Sequence, residues 1–285
     1  MRWVVTRRGL RRLAAHSFAT FGVIALFLQS YQAIWDRPAF RDHEIAVAAA
    51  AAAVSVLLGL ARARPGPTVA RDLRHPRCRI EIVPGDLFDE QEAHLVVGFT
   101  DMFDTDVNED RIINANSVQG QFLRRLYQGD VATLDADLAR ALTNVPHTVR
   151  VPRAAKPFGK LCRYPVGTVA VLGSPRRRYF GVAYSTMTPG LLAQSSGDAL
   201  WRGLSQLWVA VYEHGQRAPL AMPVVGAGLA RVDALDRLAL IRLIVLSFVA
   251  ASRERLLTTR LRIVMPQREF LELDRLELQA FLDSL

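Results

Sequence analysis

Two apolar runs set close together near the start of the chain constrain its architecture more than any other feature. The first, Ser17 to Trp35, carries Phe18, Phe21, Val23, Ile24, Leu26, Phe27 and Leu28 at its centre. The second, Ile45 to Ala61, is alanine-rich, with Val47, Val54, Val56, Leu57, Leu58 and Leu60, and neither run holds a charge. A helix needs about 20 apolar residues to cross the hydrocarbon core, within a range of about 17–25, and both runs qualify. Buried helices of a soluble bundle would show a polar face, and Ala46 to Ala53 offers none. Thr6-Arg7-Arg8-Gly9-Leu10 resembles a twin-arginine signal, yet no small-x-small cleavage site follows and a second apolar run comes at once. Residues 1–62 are therefore expected to form a transmembrane hairpin, with helices at about 17–35 and 45–61.

The position of the charge matters more than its total. The chain is +9 overall, but residues 1–16 hold five arginines and no acid, and residues 62–79 hold six arginines against Asp72. The rest is close to neutral, so no basic patch is left on the body for nucleic acid. Arginines thus flank the outer ends of both runs, while the connection Asp36 to Glu44 has two arginines against three acids. Basic flanks stay on the cytoplasmic side, which predicts a multi-pass inner-membrane protein with both termini and its globular domain in the cytoplasm. Tyr31 and Trp35 stand where an interfacial aromatic belt would place them. Cys78 and Cys162 show no CxxC pairing and no neighbouring histidine cluster, so neither a disulfide framework nor a metal site is expected.

Arg62-Ala63-Arg64-Pro65-Gly66-Pro67-Thr68 breaks any helix, and residues 63–78 read as a linker. From residue 79 to 285, short β-rich runs alternate with longer helical ones. Strands are expected at Arg79 to Val83, His94 to Thr100, Thr168 to Gly173, Tyr179 to Ser185, Leu220 to Val225 and Leu261 to Met265. Helices are expected at Gly120 to Gln128, Val131 to Leu142, Asp198 to His214, Ala234 to Ser252 and Arg268 to Ser284, with Asp130 and Asp233 as N-caps. The alternation predicts an α/β fold of three layers, a mixed sheet with helices on both faces.

Three stretches could carry chemistry. In Pro223-Val224-Val225-Gly226-Ala227-Gly228-Leu229-Ala230, two glycines between a strand and a helix free backbone N–H groups to face an anion. A dinucleotide fingerprint fails there, because Arg231 stands in place of the third glycine. Gly85-Asp86-Leu87 follows the first strand, where the aspartate could accept from an amino group or simply cap a turn. Phe103-Asp104-Thr105 and Asn116-Ser117-Val118-Gln119-Gly120-Gln121-Phe122 lead into a helix, a seat for phosphate or ordinary capping.

As a set, these turns resemble a macro domain, the ADP-ribose-binding module. Together with Tyr164-Pro165-Val166-Gly167-Thr168 they are similar to the macro domain of Thoeris antiphage effectors, over about residues 79–265. A two-helix membrane hairpin ahead of that domain matches one branch of those effectors. The resemblance implies an adenine-reading turn at Asp86 and Leu87. It implies a first phosphate loop with Asp104, Thr105, Ser117, Gln119, Gly120 and Gln121, and a second with Gly226, Ala227, Gly228, Leu229 and Ala230. It implies further that a TIR-domain partner makes an ADP-ribose-derived signal, such as a histidine conjugate. On binding that signal, the effector would self-associate and disrupt the lipid bilayer. The ligand would be that nucleotide, with no cofactor. Hydrolytic macro domains carry an asparagine-rich strand end and a run of glycines in the first loop; this chain has Gly98-Phe99-Thr100-Asp101 and the single Gly120. A binder is therefore expected and not an enzyme, the alternatives being a membrane-tethered ADP-ribosyl hydrolase or a passive scaffold.

Overall fold

The computed structural model describes residues 7–35, 43–64, 66–228 and 235–285. The first helix, α1 (Arg7–Trp35), starts ahead of the apolar run and so carries part of the arginine cluster in its opening turns; α2 (Glu44–Ala63) covers the second run. Within them Gly9–Ile34 and Ile45–Ala63 are long and apolar enough to cross a membrane. Two hydroxyls bond back within their own helix, Thr20 Oγ1 donating to His16 O at 2.8 Å and Ser55 Oγ to Ala51 O at 2.7 Å. The helices approach closely at Gly59, where a Cβ would lie 2.2 Å from Ser17 Oγ. Most of the expected connection, residues 36–42, lies outside the described residues.

The body begins earlier than expected. Strand β1 (Val69–Leu73) occupies part of the segment read as linker and pairs antiparallel with β2 (Cys78–Pro84). Its sequence, with Arg71 and Asp72 in the middle, lacks strand alternation because it is an edge strand with one solvated side. Asp72 sits opposite Arg79 across the pair and accepts from it at 2.8 Å. After β2 come β3 (His94–Thr100), α3 (Val118–Leu126), α4 (Val131–Ala141) and a small hairpin of β4 (Val149–Arg150) and β5 (Cys162–Arg163). Next are β6 (Val169–Ser174), β7 (Arg177–Met187), β8 (Ala193–Gln194), α5 (Gly197–His214), β9 (Leu220–Met222), α6 (Arg237–Glu254), β10 (Arg260–Met265), α7 (Gln267–Glu272) and α8 (Arg275–Asp283).

The main sheet runs β1-β2-β10-β9-β3-β7-β6, with β8 paired to β7. Five central strands, β2, β10, β9, β3 and β7, are parallel, and the edge strands β1 and β6 are antiparallel. The mixed sheet is covered on both faces, which is the three-layer arrangement. In β3, Leu95, Val97 and Phe99 join Phe122 and Leu123 of α3 and Leu134 and Leu138 of α4 in one core. On the opposite face α5 and α6 pack together, Trp208 against Phe248 with centroids 5.4 Å apart and Trp208 Nε1 donating to Ser247 Oγ at 3.0 Å.

Three boundaries shift for local reasons. Strand β9 stops at Met222 because Pro223 has no N–H to donate to a ladder. Asp130 caps α4 as expected, accepting from Thr133 N at 3.1 Å, whereas the cap of α6 is Asp236, accepting from Ala239 N at 2.7 Å; Asp233 lies outside the described residues. The single helix expected over Arg268 to Ser284 breaks at an extended Leu273, and Asp274 starts α8 anew, accepting from Leu276 N and Glu277 N at 3.1 and 3.0 Å. Helix α8 clusters with α1 and α2 in one compact unit, and Thr68–Leu273 forms the other.

A buried histidine makes the body sensitive to acid. His94 opens β3; its Nδ1 accepts from Arg178 N at 3.0 Å and its Nε2 lies 3.0 Å from Gly215 O. This pairing suits the neutral tautomer with its proton on Nε2, and burial pulls the imidazole below its usual range against the opposing Gly215 contact. A lowered folded value means that stability is intact above the unfolded value of about 6.5 and is lost as pH falls below it. The melting temperature of the full chain in detergent is expected to fall as pH drops below about 6.5, and His94→Gln should flatten that slope. An equal slope in the variant would assign the loss to other groups.

Candidate functional site

Parallel strands place their following turns at one end of a sheet, where α/β proteins hold ligands. Here the turns after β2, β3, β7, β9 and β10 surround a cavity of about 570 Å³. Within its wall are Asp86 and Leu87 after β2, Ser117, Gln119 and Gln121 at the start of α3, and Gly226, Ala227 and Gly228 after β9. Eight of the expected site residues thus converge, from segments distant in sequence. Leu229 and Ala230 lie outside the described residues.

The remaining three do not line the cavity. Gly120 is buried in the first turn of α3, where a Cβ would meet Asn114 O at 2.5 Å and Ala115 Cα at 2.7 Å. Both contacts are backbone, so glycine is what lets α3 start against Asn114-Ala115. Asp104 is fully buried. Its carboxylate accepts from Lys156 Nζ at 2.8 and 2.9 Å and from Lys160 N at 2.6 Å, and Lys156 gives its third proton to Lys160 O at 2.8 Å. Thr105 Oγ1 donates to Asp135 Oδ1 at 2.6 Å. These residues act from behind the cavity. Gln119 Nε2 donates to Asp104 O at 2.5 Å, which ties the buried ion pair to the start of α3.

Two anion seats result. Ser117 caps α3 by accepting from Gly120 N at 3.1 Å and donates to Asn114 O at 2.6 Å. Helix geometry then leaves the N–H groups of Val118 and Gln119 without intrahelical partners, and both residues line the cavity. The second seat is the turn at Gly226, whose φ of +88° lies in the left-handed region that favours glycine. Ala227 N donates to Val224 O at 3.2 Å to close that turn. A Cβ at Gly228 would meet none of the described residues within 4 Å. Among the described residues the wall holds no lysine or arginine, so what these two turns offer an anion is backbone N–H groups.

At the far side of the wall, Asp86 acts as the cap that was its plainer reading. Its Oδ1 accepts from Phe88 N at 2.9 Å, and its Oδ2 is paired with Arg125. Burial raises the Asp86 carboxyl, but the Phe88 hydrogen bond and the Arg125 guanidinium outweigh it and hold it below the ordinary value. Each oxygen keeps a second lone pair for a ligand amino group. Glu269, on α7, is a second acid in the wall and pairs with Arg237 at 3.2 Å.

Tyr184 and Asn114 are further wall residues that no motif pointed to. The Tyr184 ring lies over Gly98 of β3, where a Cβ would be 2.4 Å from Cε1. Burial pushes its phenol up to about 12, with the Gly226 backbone hydrogen bond opposing. Gly98 pairs in register with Val182, and Tyr184 is the extra residue at the bulge between Ala183 and Ser185, so no pattern along the chain brings the two together.

The comparisons with known proteins bear on the family and the fold. Residues 80–266 match the family described as Thoeris protein ThsA, Macro domain. The Thoeris protein ThsA of Bacillus amyloliquefaciens (strain Y2) is 26% identical over 155 residues, which are 53% of this chain and 50% of that protein. The chain thus spans about half the length of the curated relative it matches. A macrodomain variant from Oceanobacillus iheyensis superposes with a TM-score of 0.50 at 11% identity, over 76% of this chain and 99% of the other. Another variant of that macrodomain, solved with ADPR, gives 0.44 at 12% identity, over 76% and 100%. With its parallel core, its cavity at the strand ends and a family match over most of its length, this chain belongs to the Thoeris ThsA macro-domain family.

Proposed function

We propose that this protein is a membrane-anchored effector of antiphage defence that senses an ADP-ribose-derived nucleotide. The observation that carries the reading is the cavity with two backbone anion seats, α3 and the Gly226 turn, and a carboxylate at Asp86 on a third side. A pyrophosphate would bridge the seats, and Asp86 would accept from the adenine amino group. Leu87 would lie beside the base, with Gln121 and Ala227 contributing phosphate and ribose contacts. The signal would come from a TIR-domain partner, with a histidine conjugate among the forms it could take. On binding it, the chain would self-associate and its hairpin, α1 and α2, would damage the inner membrane. The reading is of a sensor, not a hydrolase: among the described residues of the wall the carboxylates are Asp86 and Glu269, and both are paired with arginines.

Calorimetry and melting of the full chain in detergent, with NAD, ADP-ribose and amino-acid conjugates, test the ligand. At 100 times Kd the body should gain about 2.7 kcal/mol. Asp86→Ala should weaken binding by about 1.5–3 kcal/mol, the range for a hydrogen bond to a charged group. Unchanged affinity would remove Asp86 from the site, and binding of none of these compounds would remove the reading. Topology is tested separately. A phosphatase fused after Thr68 should be silent and one between Asp36 and Glu44 active; the reverse would place the cavity outside the cytoplasm.

A further inference from the structure

Helix α5 buries one side and leaves an organised stripe on the other. Leu200, Gly203, Leu204, Leu207, Trp208 and Val211 are buried within the body. Trp201, Val209 and Tyr212 are 44%, 43% and 44% exposed. They lie on one helical stripe, with Ser205 between Trp201 and Val209 at helical spacing. An open groove of about 720 Å³ runs alongside, walled by Trp201, Ser205 and Val209 on α5 and by Val169 and Val171 of the edge strand β6. Isolated exposed apolar residues need no explanation, but an aligned set beside a groove marks an interaction surface.

We propose that this stripe is a self-association surface on which a second copy of the chain lays its own α5 antiparallel. The inference rests on the self-association in the proposed function and adds the surface that makes it. The arrangement of charge and aromatic residues selects the occupant. A twofold axis near Leu207 runs the second helix in reverse. Trp201 then faces Tyr212 of the second copy, Ser205 faces its Val209, and Arg202 faces its Glu213. Each contact recurs on the other side of the axis, as an isologous interface requires. A lipid surface would call for basic residues alone, whereas this face carries Arg202 at one end and Glu213 at the other. Among the described residues of the single chain, the ion pair of Arg202 is with Asp198 on the same helix, at 2.9 Å and with both side chains well exposed. Such pairs contribute little, so Arg202 is free to take a second carboxylate. The inner side of α5 also touches the ligand cavity wall: a Cβ on Gly203 would lie 3.1 Å from Tyr184 Cβ. A nucleotide that moves Tyr184 therefore presses on the helix that carries the stripe.

The test is charge exchange in the full chain in detergent, with size measured with and without ADP-ribose. Arg202→Glu and Glu213→Arg should each weaken association about tenfold or more, because each puts like charges face to face at two symmetry-related places. The double variant R202E/E213R should recover most of the loss, since the exchanged charges meet again only in the antiparallel register. Trp201→Glu should abolish association. Melting temperature should hold in every variant, which separates a lost interface from a lost fold, while ADP-ribose affinity should fall only by the share that its coupling to association contributes. If the parent chain associates and the single variants match it, or the double variant is worse than either, this surface is wrong while self-association stands. If the parent chain stays a single copy in both conditions, the surface and the self-association reading fall together.

Discussion

Replacing Lys156 with methionine is expected to cost the body about 3–5 kcal/mol, the usual penalty for removing one partner of a buried ion pair. Lys156 is 2% exposed and Asp104 0%. The substitution leaves a carboxylate in the interior with only the Lys160 N–H at 2.6 Å to stabilise it. A typical domain has only about 5–15 kcal/mol of net stability, so the loss should appear as a large drop in the urea midpoint. Asp104→Leu in the same chain should recover part of it by removing the orphaned charge. Recovery would be incomplete, because Lys160 N then loses its acceptor. Gly159→Ala should act at the same place: its φ is +78°, and a Cβ would sit 2.2 Å from Asp104 Oδ1. Ligand affinity should fall alongside stability in the surviving folded population, because Gln119 at the start of α3 is tied to Asp104 O. A Lys156→Met variant as stable as its parent would show that the pair is dispensable.

Gly228→Glu is expected to remove nucleotide binding while leaving the fold intact. A Cβ at this position meets none of the described residues within 4 Å, and the residue lines the cavity wall. Two like charges about 4 Å apart repel by about 4 kcal/mol at an effective dielectric constant of about 20. That corresponds to roughly a thousandfold loss for a ligand whose phosphate lies beside the loop. Gly228→Ala is the matched control and should bind normally, since it adds volume without charge. Gly226→Ala differs from both: its φ of +88° makes any side chain strained, and stability should fall with affinity. Full affinity in Gly228→Glu would place the phosphates elsewhere.

The turns that surround the cavity were legible because each follows a strand and carries its own glycine or cap. Asp86, Ser117 and Gly226 could be named as turn residues from their neighbours alone. Asp104 was legible as a residue of interest but not in its role. An aspartate between a phenylalanine and a threonine looks alike whether it faces a ligand or a buried lysine 52 positions away. Strand β1 was missed for a similar reason: Arg71 and Asp72 look like linker until Arg79 is placed across from them.

The local sequence by itself determined the two apolar helices, the alternation that makes a three-layer body, the cap at Asp130, and the glycine turns. Each depends on residues within a few positions of one another, where periodicity, φ preference and capping act directly. Tertiary structure alone decided which of those turns meet. The β2-β10-β9-β3-β7 order brings Asp86, Gly226, Tyr184 and the start of α3 around one cavity. It also sends Asp104 and Gly120 behind the wall. That order is set by long-range strand pairing and by burial of both sheet faces, and no local pattern along the chain encodes it.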